Sequence, residues 1–133
     1  MASKLRVGVL GATGMVGQRF VSLLANHPWF ELAVVAASPA SAGKPYSQAV
    51  GARWTLGGGI PSSAAALTVQ DASDVARVSE GVDFVFCAVD MPKDATAKLE
   101  DDYARFETPV VSNNSAHRWT PDVPMMIPEI NSD

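Results

Sequence analysis

The chain has 133 residues, of which 47% are hydrophobic and 18% are charged, and its formal net charge at pH 7 is −4. These values indicate one globular domain with a substantial core and exclude an intrinsically disordered chain. The acidic charge disfavours nucleic acids and anionic membranes as partners, because both select basic surfaces. The sequence has no signal-peptide pattern and no apolar run of the roughly 20 residues that span a bilayer, so we expect a cytoplasmic location.

The N-terminal segment predicts a strand, a glycine-rich loop, a helix and a second strand. Residues 5–10 have apolar side chains on both faces, which indicates a strand covered by helices on both sides. Residues 15–27 repeat apolar side chains at helical spacing, with Leu23 in the core and Gln18 facing solvent. A second strand is predicted at 31–37, and such a strand–helix–strand unit forms a parallel pair.

Strands and helices continue to alternate after a long connection at 38–63. We predict that this connection is mostly loop, because glycine and proline recur in it. The further predicted elements are strands at 67–70, 82–89 and 109–112 and helices at 73–79 and 92–106. The alternation predicts one Rossmann-like α/β domain over 1–133, with a doubly wound, mostly parallel sheet and helices on both faces.

Three glycines, Gly11, Gly14 and Gly17, follow the first strand and open the first helix. In this context Gly11 permits a tight turn, Gly14 lets a ligand approach the backbone, and Gly17 allows the helix to pack closely on the sheet. The unpaired amides of 13–16 and the helix dipole favour a pyrophosphate group. We therefore predict a dinucleotide site here; the alternative is a glycine-rich turn that serves only packing.

The residues after the second strand bear on which dinucleotide binds. Sites that prefer NAD commonly carry an acidic residue there, which binds the ribose 2′-hydroxyl. This chain has Ser38, Ser41 and Lys44 instead, which supply two hydroxyl groups and a cation for a 2′-phosphate. We therefore predict NADP. In the alternative interpretation Ser38 only begins a turn and Lys44 is a solvated surface residue.

Two further segments lie at the carboxyl ends of predicted strands. Cys87, the single cysteine, lies inside an apolar strand and is expected to be a buried small residue without catalytic function. Ala88 follows it and should border the cofactor crevice. A polar run at 112–118 includes Asn114 and Arg118, and Arg118 is suited to hold a carboxylate or phosphate. The alternative for this run is a surface turn.

Four segments, taken together and in order, resemble the N-terminal part of aspartate-semialdehyde dehydrogenases of the archaeal and fungal branch. These are residues 7–17, 37–44, 112–118 and 127–131. The resemblance implies NADPH-dependent reduction of L-aspartyl-4-phosphate to the semialdehyde, in threonine and methionine biosynthesis. It also implies binding residues, which are Thr13, Gly14, Met15 and Val16 for the pyrophosphate, Ser38 and Ser41 for the 2′-phosphate, and Asn114 and Arg118 for the substrate. Ala40 stands where the family often has a basic residue, which weakens the expected NADP preference.

The family's cysteine nucleophile and histidine acid/base lie beyond the matched segments. Neither Cys87 nor His117 falls in their motifs, and one cysteine with two histidines forms no metal site and no Ser-His-Asp triad. The chain is therefore expected to carry no catalytic residue and to be inactive alone, as a truncated part of a homo-oligomeric enzyme. The polar cluster at 131–133 supports truncation, because it is typical of a helix start.

Other assignments stay open at this point. N-acetyl-γ-glutamyl-phosphate reductases and acyl-CoA reductases share the glycine-rich opening, and their thioacyl chemistry is similar. The segments 41–44 and 113–118 favour the aspartate-semialdehyde dehydrogenases over them. A stand-alone NADP-binding module with no reaction of its own is the remaining alternative.

Overall fold

In a computed structural model, which describes residues 3–131, five parallel strands form one sheet in the order β3-β2-β1-β4-β5. The strands are β1 (Leu5–Leu10), β2 (Phe30–Ala37), β3 (Gln70–Asp71), β4 (Phe84–Cys87) and β5 (Val110–Ser112). The strand order reverses at β1, because β2 lies on one side of it and β4 on the other. This arrangement confirms the predicted Rossmann-like, doubly wound fold.

The helices pack on the faces of the sheet or follow its strands. They are α1 (Met15–Leu24), α2 (Tyr46–Val50), α3 (Ser62–Ala65), α4 (Val75–Glu80), α5 (Lys93–Arg105) and α6 (Pro128–Asn131), with a 3-10 turn at Gly51–Arg53. The prediction of a loop at 38–63 is therefore wrong in part, because α2 and the 3-10 turn lie within it. Within the described range, no helix combines the length and the apolar character needed to cross a bilayer.

Apolar side chains pack on both faces of the sheet. Val7 and Val9 of β1 lie in one core cluster with side chains of α1 and α2, including the fully buried Tyr46. Leu10 faces the opposite side and lies in a second cluster with α4 and α5, where Tyr103 is fully buried. The prediction that helices cover both faces of the first strand is confirmed.

The first helix differs from its prediction in its length and in the face that it buries. α1 ends at Leu24 rather than at residue 27, and Asn26 beyond it has a left-handed φ of 57°. Gln18, predicted to face solvent, is only 2% exposed, whereas Leu23, predicted in the core, is 61% exposed. The buried face is rotated toward the glycine loop, whose buried carbonyl groups need donors.

Predictions at the ends of other elements are also corrected. Asn131 does not begin a helix, because it is the last residue of α6, where its side chain accepts a hydrogen bond from the Ile127 amide at 2.6 Å. Ser132 and Asp133, from the same predicted cluster, lie outside the described residues. The strands β3 and β4 are shorter than predicted, because fewer of their residues pair in the parallel ladder.

Candidate functional site

The loop between β1 and α1 lies at the centre of the sheet's carboxyl edge, where the strand order reverses. Gly11 in this loop has a left-handed φ of 77°, and a Cβ atom on it would lie 2.5 Å from the carbonyl oxygen of Ala88. The Ala88 amide in turn donates to the carbonyl oxygen of Leu10 at 2.9 Å. Glycine is therefore required at position 11 both by backbone conformation and by the close approach of the segment after β4.

Of the other two glycines in the loop, Gly17 is required by close packing and Gly14 is not. A Cβ atom on Gly17 would collide with the carbonyl group of Gly11, so glycine permits the close helix packing predicted there. Gly14 is exposed and has a φ of −79°, and a Cβ atom on it would meet only the Gly11 carbonyl oxygen, at 3.7 Å. Neither conformation nor internal packing requires glycine at position 14, and the space beside it is compatible with the predicted approach of a ligand.

The backbone amides at the start of α1 are free to bind an anion. Within residues 3–131, the amides of Thr13, Met15 and Val16 have no hydrogen-bond acceptor. The Gly14 amide, which was predicted to be unpaired as well, instead donates to the Gly11 carbonyl oxygen at 3.2 Å. Met15 and Val16 are exposed, and they form the first turn of a ten-residue helix. Free amides at the positive end of a helix dipole are a general site for phosphate groups.

The carbonyl groups of the same loop are held by two buried side chains. The Tyr46 hydroxyl donates to the Ala12 carbonyl oxygen at 2.7 Å, and Gln18 Nε2 donates to the Thr13 carbonyl oxygen at 3.0 Å. Burial raises the pKa of Tyr46, so its hydroxyl remains a donor throughout the neutral range. The role of neither residue was predicted from the sequence. The one available signal was that Gln18 directly follows Gly17 and therefore lies next to the loop.

The residues predicted for a 2′-phosphate lie in one turn after β2. The Ser41 amide donates to the Ser38 carbonyl oxygen at 3.0 Å, and Lys44 follows three residues later with its side chain exposed. Gly43 of this turn lines a cavity of about 190 Å³ together with Asp71, Asp74 and Arg77, whereas the three predicted residues do not line it. The predicted residues are thus brought to the β2 side of the glycine loop, at the carboxyl edge of the sheet.

A second cavity, of about 130 Å³, lies on the opposite side of the glycine loop. Its lining includes Val89 after β4 and Asn114 after β5. Asn114 directs its Nδ2 atom inward, at 3.4 Å from Cys87 Sγ and 3.5 Å from Glu100 Oε2. Arg118 is exposed in the same segment, with Nη2 at 3.5 Å from the Asn113 carbonyl oxygen. In the part of the chain that the structure describes, no hydrogen bond joins Asn114 and Arg118.

Two carboxylates of α5 hold the segment that carries Asn114 and Arg118. Glu100 is buried, and its Oε2 atom accepts a hydrogen bond from the Ser112 hydroxyl at 2.5 Å. The Ser112 hydroxyl also accepts from the Asn114 amide at 2.9 Å. Further along, His117 Nε2 lies 3.0 Å from Asp101 Oδ1. Sequence analysis missed Glu100, because a single acidic residue within an amphipathic helix is usually solvated.

The predicted burial of Cys87 is confirmed. Its side chain is fully buried, and burial raises the pKa of the thiol to about 12. A thiol with this pKa is not a nucleophile at neutral pH. Across residues 3–131, no group of three or more His, Cys, Asp and Glu side chains is arranged to hold a metal ion.

A known protein family matches almost the whole chain. Residues 6–133 match the protein family described as semialdehyde dehydrogenase, NAD binding domain. The chain belongs to this family. The resemblance inferred from its glycine loop and its polar segments is therefore confirmed.

Members of the semialdehyde dehydrogenase family with different substrates are similar to this chain. An aspartate-semialdehyde dehydrogenase from Methanothermobacter thermautotrophicus is 46% identical over 129 residues, which are 97% of this chain. A malonyl CoA reductase (NADP) from Metallosphaera sedula is 36% identical over 131 residues, or 98% of the chain. The crystal structure of aspartate semialdehyde dehydrogenase with NADP from Candida albicans matches 97% of the chain, with a TM-score of 0.87 and 36% identity. The chain spans only 35% of the length of each of these relatives.

Proposed function

We propose that this chain binds NADP(H) at the glycine loop, as the cofactor-binding part of an aspartate-semialdehyde dehydrogenase. The observation that carries this proposal is the set of free amides of Thr13, Met15 and Val16 at the switch point of the sheet. Family membership supports it, as does the similarity to an aspartate semialdehyde dehydrogenase crystallised with NADP. The residues present fit the cofactor, because Gly14 leaves room for a pyrophosphate beside these amides.

In this proposal the two sides of the glycine loop bind different parts of the cofactor. Ser38, Ser41 and Lys44 on the β2 side bind the 2′-phosphate through hydroxyl donors and a cation. An acidic residue, which would repel that phosphate, is absent from the end of β2, where Ala37 and Ser38 stand. On the other side, Ala88 approaches Gly11 closely enough to border the crevice.

The reaction proposed for the full-length enzyme is reduction of L-aspartyl-4-phosphate to L-aspartate 4-semialdehyde. NADPH supplies the hydride for such a reduction when it is bound. Arg118 is proposed to bind the substrate's phosphate and Asn114 to lie beside the substrate, both in the segment held by Glu100. Because Cys87 is buried and protonated, the nucleophile is proposed to come from outside residues 3–131, and this chain alone is expected to be inactive.

A calorimetric titration of the chain with NADPH and with NADH tests the cofactor assignment. We expect NADPH to bind at least roughly tenfold more tightly, since a charge-assisted pair contributes on the order of 1.5–3 kcal/mol. Ser38→Asp should abolish this preference through charge repulsion. Ser62→Asp makes the same change at another exposed serine and should preserve it. Equal affinities in the unmodified chain would contradict the assignment, as would an unchanged preference in Ser38→Asp.

A further inference from the structure

We propose that Tyr46 and Gln18 are positioning residues for the phosphate-binding loop. Their side chains hold two consecutive carbonyl groups, those of Ala12 and Thr13, toward the protein interior. The Thr13 amide is thereby turned outward to meet an anionic ligand. This inference rests on the proposed function, since it assigns a role in NADP(H) binding to residues that need not touch the cofactor.

The hydrogen bond of Tyr46 fixes the orientation of one peptide group. Its hydroxyl, on a fully buried side chain, donates to the Ala12 carbonyl oxygen at 2.7 Å. In a trans peptide the C=O and N–H bonds point in opposite directions. Because the Ala12 carbonyl is directed at a buried hydroxyl, the Thr13 amide of the same peptide points away from the interior. That amide has no acceptor within residues 3–131.

Tyr46 is itself rigidly placed, which makes it suited to this role. It begins α2, and its backbone amide donates to the Leu67 carbonyl oxygen at 2.8 Å. Burial raises the pKa of its hydroxyl, so the group stays protonated and continues to donate. The phenol is therefore a fixed donor, 34 positions along the chain from the carbonyl that it binds.

Gln18 holds the next peptide group and links it to a distant segment. Its Nε2 atom donates to the carbonyl oxygens of Thr13 and Arg53, each at 3.0 Å. Its Oε1 atom accepts from the Thr55 amide at 3.1 Å. Both ends of the side-chain amide are thus engaged, and the residue is only 2% exposed. The Thr13 carbonyl is thus held toward the interior by a hydrogen bond from a buried side chain, as the Ala12 carbonyl is.

The electrostatic consequence concerns anions. A carbonyl oxygen carries partial negative charge, so a peptide that turned over would present a repulsive group to a phosphate in place of an amide donor. Tyr46 prevents this at the peptide that carries the free Thr13 amide. Gln18 holds the next peptide, whose Gly14 amide donates to the Gly11 carbonyl oxygen at 3.2 Å. The loop is therefore preorganised before a ligand arrives, and preorganised donors bind anions more tightly than donors that must first rotate.

The chain contains a matched pair of tyrosines for testing this inference. Tyr103 is also fully buried, and its hydroxyl donates to the Ala72 carbonyl oxygen at 2.6 Å, in the core cluster on the opposite face of the sheet. Tyr46→Phe and Tyr103→Phe each remove one buried hydroxyl and one bond to a carbonyl. Both should lower the thermal midpoint of the chain by similar amounts.

The two variants should differ in their binding of NADPH. Tyr46→Phe is expected to increase the NADPH dissociation constant by roughly tenfold, whereas Tyr103→Phe should leave it within about twofold of the value for the unmodified chain. Adenosine 2′-monophosphate has no pyrophosphate, so its affinity should be the same in both variants. Gln18→Met removes the side-chain donor at similar volume, and it should also weaken the binding of NADPH but not that of adenosine 2′-monophosphate. This variant tests the inference if Tyr46→Phe does not fold.

The outcomes separate this inference from the proposed function. If the unmodified chain binds NADPH but Tyr46→Phe and Gln18→Met bind it equally well, the positioning role is overturned and the proposed function stands. An equal loss in Tyr46→Phe and Tyr103→Phe would also overturn it, because both losses would reflect stability alone. If the unmodified chain does not bind NADPH, the proposed function is contradicted and the inference falls with it.

Discussion

The hydroxyl of Ser112, at the end of β5, donates a hydrogen bond to the buried carboxylate of Glu100 on α5 at 2.5 Å. The same hydroxyl accepts from the Asn114 amide at 2.9 Å, so one polar pair fixes the start of the segment that leads to Arg118. Burying a carboxylate is costly in free energy unless hydrogen-bond donors contact it, so the stability of this region depends on these donors.

We predict that Glu100→Gln destabilises the chain by about 1–3 kcal/mol, because the charge-assisted bond to Ser112 is replaced by a weaker neutral one. Glu80→Gln makes the same change on an exposed residue of α4 and should alter stability by less than about 0.5 kcal/mol. Denaturant unfolding of both variants measures the difference. Equal stabilities would show that the Glu100 contact contributes nothing.

Gly11 and Gly14 of the loop should respond differently to replacement by alanine. Gly11→Ala is expected to destabilise the chain strongly, because it strains a left-handed residue and brings a methyl group against the Ala88 carbonyl oxygen. Gly14→Ala should change stability by less than about 1 kcal/mol, since its methyl group makes only an ordinary contact with the Gly11 carbonyl oxygen, at 3.7 Å. Gly14→Ala should nevertheless weaken NADPH binding by obstructing the pyrophosphate. Thermal unfolding and NADPH titration of each variant test both expectations, and full NADPH affinity in Gly14→Ala would contradict the second.

Cys87 makes the stability of the chain depend on alkaline pH. Burial raises the pKa of its thiol to about 12 in the folded chain, whereas an unfolded thiol titrates near about 8.5. The folded-state pKa is the higher one, so this contribution to stability is complete below about pH 8.5 and is lost as pH rises toward 12. The loss amounts to about 1.4 kcal/mol per pH unit between these values.

Cys87→Ala isolates this effect from that of the buried tyrosines. The unmodified chain should lose more stability than the variant between about pH 8 and pH 11, by roughly 3 kcal/mol. The native thiol should also resist alkylation at about pH 8 and react once the chain is unfolded. Identical pH dependence in the two proteins, or rapid alkylation of the native chain, would show that the thiol is accessible to solvent.

Arg118 is predicted to act on substrate rather than on cofactor. In a full-length enzyme that carries this chain, Arg118→Ala should raise the KM for the phosphorylated substrate roughly tenfold or more, because it removes a charge-assisted contact to the phosphate. The KM for NADPH should be unchanged. Arg105→Ala removes an exposed arginine that forms an ion pair with Asp102 and should affect neither constant. A larger change in the NADPH constant would place Arg118 in the cofactor site instead.

Periodicity and turn residues were sufficient to predict the sheet and its main helices. The strand at 5–10 is observed at the predicted residues, and the alternation of elements correctly indicates a doubly wound, parallel sheet. The glycine loop was predictable because the context of strand, glycines and helix has one common structural solution. Family resemblance added the semialdehyde dehydrogenase assignment, which no single motif carries.

The interactions that support the loop were not predictable from local patterns. Tyr46 and Ala12 are 34 positions apart, and Gln18 and Thr55 are 37 apart. Their pairing depends on where α2 and the 3-10 turn pack, and these short elements are held by tertiary contacts rather than by helix propensity. The role of Glu100 was not predictable either, because its partner Ser112 lies on β5, and their contact depends on how α5 packs against that strand.

Amide NMR spectra recorded during an NADPH titration test most directly whether the free amides at the start of α1 bind the pyrophosphate of NADP(H). The amides of Thr13, Met15 and Val16 should show the largest shift changes. The amides of Val82 and Asp83, which precede β4 at the opposite edge of the sheet, should not move and serve as the control. Saturable binding that shifts amides elsewhere while those of 13–16 stay unchanged would contradict the account.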